Sequence, residues 1–429
     1  MEHGRQAAGK NGLGERSYLR GRRGWRVRGR RAERQLAGWW RHMTAPKIFF
    51  WVQHLLGIGH LKRTATLTRA FRRVGMEVTI VSGGQNVPGL DIADAKLIQL
   101  PPVRAADKYF KILVDENDAE IDDAFRDRRR ALLLEAYAAE APSVILTELF
   151  PFGRRQLRGE LTALLETAKA QRAPPLIVSS VRDILVEPPK PERVEEMLKR
   201  IETYYDRVLI HGDPTLIPFG DTFAHADRIG DRVAYSGYVV DTPQKTPGGA
   251  GTGEVIVSAG GGAVSEELFR AAMAARPATT LSDRTWRILA GHALPMNVLS
   301  ALKSAAPAGV IVERARTDFT TLMANCALSV SQGGYNTVME MMAAHTRGVI
   351  VPYAGGLETE QTLRARLLEN RSGIRSIPED ALDPETLARA VDDAFAAPPP
   401  DASGLNTDGA DASACLIAEW FRDHNRATA

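Results

Sequence analysis

A histidine follows two glycines soon after the first apolar run of the chain. The run Lys47–Gln53 is short and bulky and predicts a buried strand, and Gly57, Gly59 and His60 lie in the turn that follows it. Glycines let backbone amides approach a ligand, and the N-terminus of the next helix favours anions. Because open α/β sheets bind ligands at the carboxyl ends of their strands, we predict that His60 faces such a ligand. The alternative is a histidine that only caps or packs.

An acidic residue follows a later strand of the same half of the chain. Glu148 comes just after the predicted strand Ser143–Thr147, so it should reach the same sheet edge as His60. A carboxylate beside a histidine can orient the ring and raise its basicity. The alternative is a loop glutamate that pairs with Arg154 or Arg155.

The segment Ser331–Glu340, with the sequence SQGGYNTVME, joins a predicted strand to a predicted helix. Its glycine pair is followed by Asn336 and Thr337 in the first helical turn, an arrangement that presents amides and hydroxyls to a diphosphate. Glu340 lies off the apolar stripe of this helix, where its carboxylate can accept two hydrogen bonds from a ribose diol. The alternative is a solvated helix glutamate.

The segment Tyr353–Gln361, with the sequence YAGGLETEQ, has the same strand-to-helix position one unit later. Glu358, Glu360 and Gln361 offer carboxylate and amide groups suited to sugar hydroxyls. The alternative is that the acids only complement the helix dipole. That alternative explains the glutamates but not the glycine pair that precedes them.

Common nucleotide-binding and metal-binding patterns are absent from the sequence. The dinucleotide fingerprint fails in both glycine-rich turns, where Lys62 and Ser265 occupy the third glycine position. The sequence contains no P-loop, no D-x-D and no pair of histidines at helix-face spacing. Cys326 and Cys415 have no histidine nearby and are expected to be buried small hydrophobes. We therefore expect no metal and no cofactor.

Two successive α/β halves must position these residues. In the first half, strand, glycine turn, helix and the strand Glu77–Val81 form a βαβ unit, which implies a parallel sheet. Residues 107–141 are charged and predict a helix. Glu254–Ser258 begins a second βαβ series after a Pro-, Gly- and Thr-rich linker. The predicted divisions are a basic disordered tail over 1–45, a first domain over 46–240, a linker over 241–253, a second domain over 254–410 and a terminal helix over 411–429.

Charge is distributed unevenly along the 429 residues, whose net charge is +3. Residues 1–42 contain 12 Lys and Arg and 3 Glu, which gives +9, so the remainder carries 3 − 9 = −6. An acidic body argues against nucleic acid as the main ligand, since phosphate neutralisation needs a basic face. The tail either anchors to anionic lipid or RNA, helped by Trp25, Trp39 and Trp40, or is a disordered extension upstream of a natural start at Met43. Its removal is expected to leave the fold intact.

Other features of the composition limit the class of protein. At 44% hydrophobic and 25% charged residues, the chain has an ordinary globular composition. Two cysteines exclude a disulfide framework and fit a reducing compartment. The sequence contains no apolar run near the roughly 20 residues needed to span a bilayer.

Taken together, these segments resemble the GT-B glycosyltransferases related to family 28, and more closely a bacterial set of predicted glycosyltransferases. The resemblance covers most of residues 46–395. It is specific in the second half, where strand–SxGG–YNTVxE–helix is followed by VP–loop–EQ–helix, whereas GIGH matches the acceptor-side loop more loosely. The resemblance implies two Rossmann-like doubly wound parallel-sheet domains that face a cleft.

The resemblance also implies residue roles. Glu340 would hold the donor ribose, and Glu360 and Gln361 the hexose. His60 would be the general base, aided by Glu148 where the family usually has aspartate. The other implied donor-binding positions are Ser258, Gly260, Gly261, Gly262, Ser331, Gly333, Gly334, Asn336 and Thr337, of which the last four would bind the diphosphate, and Gly57 and Gly59 would face the acceptor.

The function implied is an inverting, metal-independent transfer of a hexosyl group from a nucleotide diphosphate sugar, uridine-based, to an unknown hydroxyl acceptor. Family and tail suggest a lipid-linked or cell-envelope glycan as acceptor, and hence a cytoplasmic protein with peripheral contact at the inner face of the membrane. The terminal helix would cross back onto the first domain. The alternatives are a nucleotide-sugar hydrolase or 2-epimerase on the same fold, or a non-catalytic nucleotide-sugar sensor. The sequence does not indicate an oligomeric state.

Overall fold

A computed structural model of the protein describes most of the chain from residue 36 onward. The described residues are 36, 38–40, 43–107, 111–185, 190–241, 243, 245–259, 266–292, 294–355, 359–369 and 371–428.

The first half of the chain forms a seven-stranded parallel sheet. Its strands are β1 (Lys47–Val52), β2 (Glu77–Ser82), β3 (Lys96–Gln99), β6 (Val144–Glu148), β7 (Leu176–Arg182), β8 (Arg207–His211) and β9 (Val233–Tyr235), while β4 (Arg104–Ala105) and β5 (Leu113–Val114) form a separate antiparallel pair. The strand order is β3-β2-β1-β6-β7-β8-β9. Apart from Lys47, every residue of β1 is buried, because helices cover both faces of the sheet.

The second half forms a six-stranded parallel sheet. Its strands are β10 (Val255–Ser258), β11 (Trp286–Ala290), β12 (Val310–Arg314), β13 (Leu328–Ser331), β14 (Gly348–Ile350) and β15 (Ile374–Ser376). The order is β12-β11-β10-β13-β14-β15. In both sheets the strand order reverses beside the first strand, which is the doubly wound arrangement, with its switch point between β1 and β6 and between β10 and β13. The predicted fold class is confirmed.

Eleven α-helices surround the sheets within the described ranges. They are α1 (Gly59–Arg73), α2 (Asp123–Glu140), α3 (Arg158–Lys169), α4 (Pro191–Tyr204), α5 (Glu266–Ala275), α6 (Met296–Ala305), α7 (Phe319–Asn325), α8 (Tyr335–Ala343), α9 (Glu360–Glu369), α10 (Pro384–Ala396) and α11 (Gly409–Thr428). α1 buries Leu67, Ala70 and Phe71 against the sheet and ends where Gly75 adopts a φ of 87°.

The helix predicted over 107–141 is shorter than expected. α2 begins only after Asp122, whose side chain accepts a hydrogen bond from the Phe125 amide at 2.7 Å. Upstream, the Asp115 carboxylate accepts from the amides of Asn117 and Ala119 and closes a turn. Acidic side chains that bond the backbone locally compete with helix formation, so this acidic stretch forms a turn instead.

Part of the predicted disordered tail is packed on the first domain. Leu36 is 2% exposed, and Trp39, Trp40 and Met43 contact the same core. The Trp40 indole donates to the Val74 carbonyl at 2.7 Å. The expectation of disorder up to residue 45 is therefore wrong for these residues. Trp39 and Trp40 contact protein, whereas the sequence suggested contact with anionic lipid or RNA.

The helix α11 packs on the first domain, as the resemblance implied. Ile417, Phe421 and the α1 residues Leu67 and Phe71 belong to one buried cluster. The helix begins at Gly409, two residues before the predicted boundary. Both ends of the described chain therefore contribute to the core of the first domain.

Candidate active site

Most residues singled out from the sequence follow the strands that flank each switch point, whereas Glu360 and Gln361 follow β14. His60 is in the first turn of α1, the helix that follows β1, and Glu148 is the last residue of β6. Glu148 was predicted just after its strand, but it pairs in register with Ser180 of β7 and is itself part of the sheet. Both side chains therefore face the edge where open α/β sheets bind ligands.

His60 and Glu148 are in contact. The distance from His60 Nδ1 to Glu148 Oε1 is 2.9 Å. Glu148 is completely buried, whereas the His60 side chain is 14% exposed and so can be reached from the cleft. The structure thus brings together the two residues that the sequence predicted as a pair.

The cation that forms an ion pair with Glu148 is neither Arg154 nor Arg155. Arg63 pairs with Glu148 Oε1, whereas Arg154 donates through Nε to the Gln53 carbonyl at 2.8 Å. Sequence reasoning missed Arg63, although it lies three residues after His60 on α1 and must share its helix face.

Burial and nearby charge fix the ionisation of the pair. Burial lowers the pKa of His60 to about 3, and the positive charge of Arg154 acts in the same direction. Burial alone would raise the pKa of Glu148, but Arg63 and the hydrogen bond with His60 hold that pKa well below its usual range. We therefore assign a neutral imidazole that donates Nδ1–H to an ionised carboxylate, which leaves Nε2 as a proton acceptor.

A buried hydrogen-bonded chain, which no sequence pattern predicts, continues behind Glu148. Ser180 Oγ donates to Glu148 Oε2 at 2.6 Å and lies 2.8 Å from His211 Nε2. His211 Nδ1 lies 2.9 Å from Ser236 Oγ. Burial lowers the pKa of His211 to about 3, so its ring is neutral. Because Ser180 donates to Glu148, it accepts from His211 Nε2–H, which leaves His211 Nδ1 as an acceptor for the Ser236 hydroxyl. The Gly237 carbonyl, 2.9 Å from Ser236 Oγ, is a second acceptor for that hydroxyl.

The glycine-rich segment before α8 meets the glycine turn before α1. The Asn336 side-chain amide donates to the Gly59 carbonyl at 3.1 Å. Gly334 is the N-cap of α8, and Thr337 is half-buried beside Asn336. A Cβ on Gly333 would lie 3.1 Å from Gln361 Cβ and from its carbonyl, so a side chain there would press on α9. The predicted donor-side and acceptor-side segments are therefore neighbours across the two domains.

Glu340 is buried at the contact between the domains. Its side chain is 3% exposed, and Lys62 Nζ of α1 lies 2.5 Å from Oε1. The other oxygen, Oε2, is buried and has no hydrogen-bond partner among the described residues. Burial raises the pKa of Glu340 even though Lys62 opposes the shift. The alternative of a solvated helix glutamate is therefore wrong.

Glu360 takes part in a buried ion-pair network that joins the two domains. Arg364 Nη2 donates to Glu360 Oε1 at 2.7 Å and to Asp183 of the first domain at 3.0 Å. Arg182 Nη2, also of the first domain, lies 2.5 Å from Glu360 Oε2. A hexose at Glu360 would thus compete with two arginines. The neighbouring Gln361 accepts through Oε1 from the Tyr353 amide at 3.1 Å.

Tyr335, the first residue of α8, ties this helix to the first domain. Its hydroxyl donates to the His211 carbonyl at 3.0 Å and accepts from the Val239 amide at 3.0 Å. The guanidinium groups of Arg63 and Arg364 lie 5.2 and 5.5 Å from the centroid of its ring. The aromatic residue inside the SQGGYNT segment was not predicted to have a role.

The remaining predicted positions make few contacts or lie outside the described residues. Ser258 and Ser331 end β10 and β13 and pair in register, and both hydroxyls are buried without a hydrogen-bond partner among the described residues. Gly57 precedes α1, and a Cβ there would meet nothing within 4 Å. Gly260, Gly261 and Gly262 lie outside the described residues, as does Glu358.

In the part of the chain that the structure describes, no group of three or more His, Cys, Asp or Glu side chains is arranged to hold a metal ion. Across the same residues, the helices are all too short or too polar to cross a bilayer.

Comparison with known proteins shows what the second domain is similar to. Residues 260–408 match the model of the glycosyltransferase family 28 C-terminal domain. The UDP-N-acetylglucosamine--N-acetylmuramyl-(pentapeptide) pyrophosphoryl-undecaprenol N-acetylglucosamine transferase of Methylorubrum extorquens is 34% identical over 109 residues, which are 24% of this chain and 30% of the relative. The match thus spans less than a third of that relative.

Two solved structures extend the likeness to nearly the whole chain. The calicheamicin glycosyltransferase CalG4 has a TM-score of 0.57 at 16% identity, over 89% of this chain and 98% of that chain. Acinetobacter baumannii MurG has a TM-score of 0.50 at 12% identity, over 88% and 99%. At these identities the likeness shows the fold, which is that of the GT-B glycosyltransferases.

Proposed function

We propose that this protein, a GT-B fold with a family 28 C-terminal domain, transfers a hexosyl group from a nucleotide diphosphate sugar to a hydroxyl acceptor. The observation that carries the proposal is the contact between Asn336 and Gly59. It joins the glycine-rich segment of the family 28 domain to the turn that presents His60. A donor on one side and a base on the other would then share one cleft.

In the proposed mechanism, His60 Nε2 accepts the proton of the acceptor hydroxyl. The acceptor oxygen attacks the anomeric carbon from the face opposite the diphosphate, so the C–O bond forms as the bond to the diphosphate breaks and the configuration inverts. Glu148 keeps the ring oriented and stabilises the imidazolium that results. The negative charge of a donor diphosphate would oppose Arg154 and Arg63 and make His60 more basic than its pKa of about 3 indicates.

The N-terminus of α8 is the proposed site of the departing diphosphate. Its first turn carries Asn336 and Thr337, and Gly334 caps it with no side chain to obstruct an oxygen. A helix N-terminus carries about half a positive charge, which favours the charge that develops on the leaving group. Glu340, one turn further along, would accept the ribose hydroxyls, and Gln361 would contact the hexose. No step in this scheme requires a metal ion.

The donor is proposed to be uridine-based and the acceptor lipid-linked or part of a cell-envelope glycan. Support comes from the Methylorubrum relative, whose name specifies a UDP-linked amino sugar and an undecaprenol-linked acceptor. The protein would then work in the cytoplasm, at the inner face of the membrane.

The test is to incubate the full chain with UDP-hexoses that carry a radiolabel in the sugar, with and without undecaprenyl-pyrophosphate-linked acceptors. Label in the lipid fraction supports the proposal, and the His60→Ala variant serves as the control for specific transfer. Free labelled hexose without acceptor indicates a hydrolase, and a changed sugar on the nucleotide indicates an epimerase. Donor binding seen as a thermal shift, with no product of any kind, indicates a sensor; a ligand at 100 times its Kd adds about 2.7 kcal/mol.

A further inference from the structure

A lysine of the first domain reaches the buried carboxylate assigned to the donor ribose. Lys62 Nζ lies 2.5 Å from Glu340 Oε1. Lys62 belongs to α1 and Glu340 to α8, so the ion pair spans the two domains. Neither the sequence patterns nor the family match assigns Lys62 a role.

The Lys62–Glu340 ion pair lies about one helical turn from the hydrogen bond between Asn336 and Gly59. Lys62 lies three residues after Gly59 on α1, and Glu340 lies four residues after Asn336 on α8. Residues three or four apart lie on one helix face, about one turn from each other. The Lys62–Glu340 pair and the Asn336–Gly59 hydrogen bond are therefore successive contacts along two helices that lie side by side.

Glu340 needs a cation if it is to remain ionised. Its side chain is 3% exposed, and burial of an unpaired carboxylate is strongly unfavourable. The other charged group that faces it, Asp241, is negative and opposes ionisation. Asp241 is itself paired with Arg69 at 2.5 Å. Lys62 is thus the group that compensates the charge of Glu340.

Lys62 is also held in place. Its ammonium lies 5.4 Å from the centroid of the Phe319 ring, a cation–π contact, and its side chain is 31% exposed. It occupies only one oxygen of Glu340. The second oxygen, Oε2, is buried and without a hydrogen-bond partner among the described residues, which is rare for a buried carboxylate and is expected where a ligand completes the site.

We infer that Lys62 is a positioning residue of the ribose subsite, which holds Glu340 ionised through Oε1 so that Oε2 accepts a hydroxyl of the donor ribose. The inference rests on the proposed function. It makes ribose binding a property of both domains, because α1 must contact α8 for Lys62 to hold Glu340 ionised. Donor binding and contact between the two helices would then reinforce each other.

The test is calorimetric titration of the full chain with UDP and with 2′,3′-dideoxy-UDP, which has the same diphosphate but no ribose hydroxyls. Lys62→Met removes the charge at similar side-chain length, and Lys62→Arg restores it. Lys96→Met is the matched control, since Lys96 pairs with Glu140 at the same 2.5 Å but on the outer strand β3.

Lys62→Met is expected to weaken UDP binding roughly 10- to 100-fold. Binding of the dideoxy analogue should change little, because the charged hydrogen bond from the ribose hydroxyl to Glu340 does not exist in that complex. Lys62→Arg should recover most of the loss, and Lys96→Met should show none. Equal weakening for both ligands would mean that Lys62 contacts the diphosphate, and no weakening would mean that it only joins the domains; either result overturns the inference.

Failure of the proposed function gives a different result. If the wild-type chain binds no ribonucleoside diphosphate, whether UDP, ADP, GDP or CDP, the donor assignment fails and the ribose subsite with it. If the wild type binds and Lys62→Met binds equally well, the proposed function stands and only the role of Lys62 is removed.

Discussion

The Ser180 hydroxyl donates to Glu148 Oε2 at 2.6 Å, and through this bond a residue on the strand beside Glu148 controls the carboxylate that orients His60. Behind Ser180, His211 and Ser236 extend the same chain into the core. Ser180 and His211 are both buried, so the Glu148 carboxylate is held in one position by groups that lie behind the site.

Ser180→Ala should lower kcat roughly 3- to 30-fold with the donor Kd unchanged, because a hydrogen bond to a charged group is worth about 1.5–3 kcal/mol and only part of it reaches the reacting atoms. Steady-state kinetics and donor titration measure the two effects separately. Ser179→Ala is the matched control: Ser179 is equally buried on β7, but it donates to the Phe150 carbonyl. An equal kcat loss in the control would remove Ser180 from the catalytic arrangement.

His60→Ala should lower turnover roughly 100- to 10,000-fold, the range for loss of a general base, with donor affinity little changed. Glu148→Gln should give a smaller loss in the same direction, since it orients the ring without touching the acceptor. The measurement is initial rate at saturating acceptor. An unchanged rate for His60→Ala would show that the histidine only packs and would leave the base unassigned.

Glu340→Ala should raise the donor Kd roughly 10- to 150-fold, which corresponds to about 1.5–3 kcal/mol for a charged hydrogen bond. Lys62 is 31% exposed and keeps its contact with the Phe319 ring, so its charge stays solvated without Glu340 and the fold should survive the change. The loss should nearly vanish for a donor without ribose hydroxyls. Glu385→Ala on the exposed start of α10 is the control. Equal weakening for both donors would exclude the ribose contact.

Acidification should destabilise the fold because three histidines are buried in the neutral form. Burial lowers the pKa of His54 to about 4 and that of His60 and His211 to about 3, from 6.5. Between pH 6.5 and 4 the unfolded chain binds protons that the folded chain does not, so the free energy of unfolding falls as the pH falls. Each histidine contributes about 1.4 kcal/mol per pH unit in this window.

The measurement is Tm between pH 7 and pH 5 for the wild type, His54→Gln and His345→Gln. His345 is exposed, so its replacement should leave the slope of Tm against pH unchanged, whereas His54→Gln should make it shallower. Identical slopes in all three proteins would mean that the buried histidines do not control acid stability.

Truncation should separate two parts of the basic tail. The sequence predicts that residues 1–42 are dispensable, but the packing of Leu36 and Trp40 on the first domain moves the expected limit to residue 35, so removal of residues 1–35 should leave Tm unchanged. Removal of residues 1–42 also deletes Leu36 and Trp40, and the free energy of unfolding should fall by roughly 2–5 kcal/mol, the range for loss of a buried large side chain. Urea unfolding of the two variants decides this. Equal stability would show that the packed stretch is not part of the fold.

The fold class was predictable because its signals are local. A short apolar strand such as β1, a glycine turn and an amphipathic helix each appear within 30 residues, and their alternation implies a parallel sheet. The strands β3, β9 and β15 were not predicted, because they have only three or four residues and therefore carry little local apolar pattern. Their position is set by pairing with neighbouring strands.

The candidate site was predictable only in part. Strand ends placed His60, Glu148, Asn336 and Glu340 at the cleft without reference to any partner. The ion pairs that set the charge of Glu340 and Glu360 were not predictable. Lys62 with Glu340 and Arg182 with Glu360 join residues far apart in the sequence, and both pairs exist only because the two domains face each other. Arg63 is the exception, because its position three residues after His60 on α1 is visible in the sequence and places both side chains on one helix face.

The position of α11 affects how the protein can fold during its synthesis. Leu67 of α1 and Ile417 of α11 share one buried cluster, yet the ribosome makes the entire second domain between them. A nascent first domain would expose the apolar face of α1 until translation of α11 is complete. Domains that are made first generally fold first, and exposed apolar surface promotes aggregation. Here the order is reversed: the first domain should be the last to reach its native state, because its core needs α11. Chaperone binding to stalled chains should therefore end only once α11 has emerged.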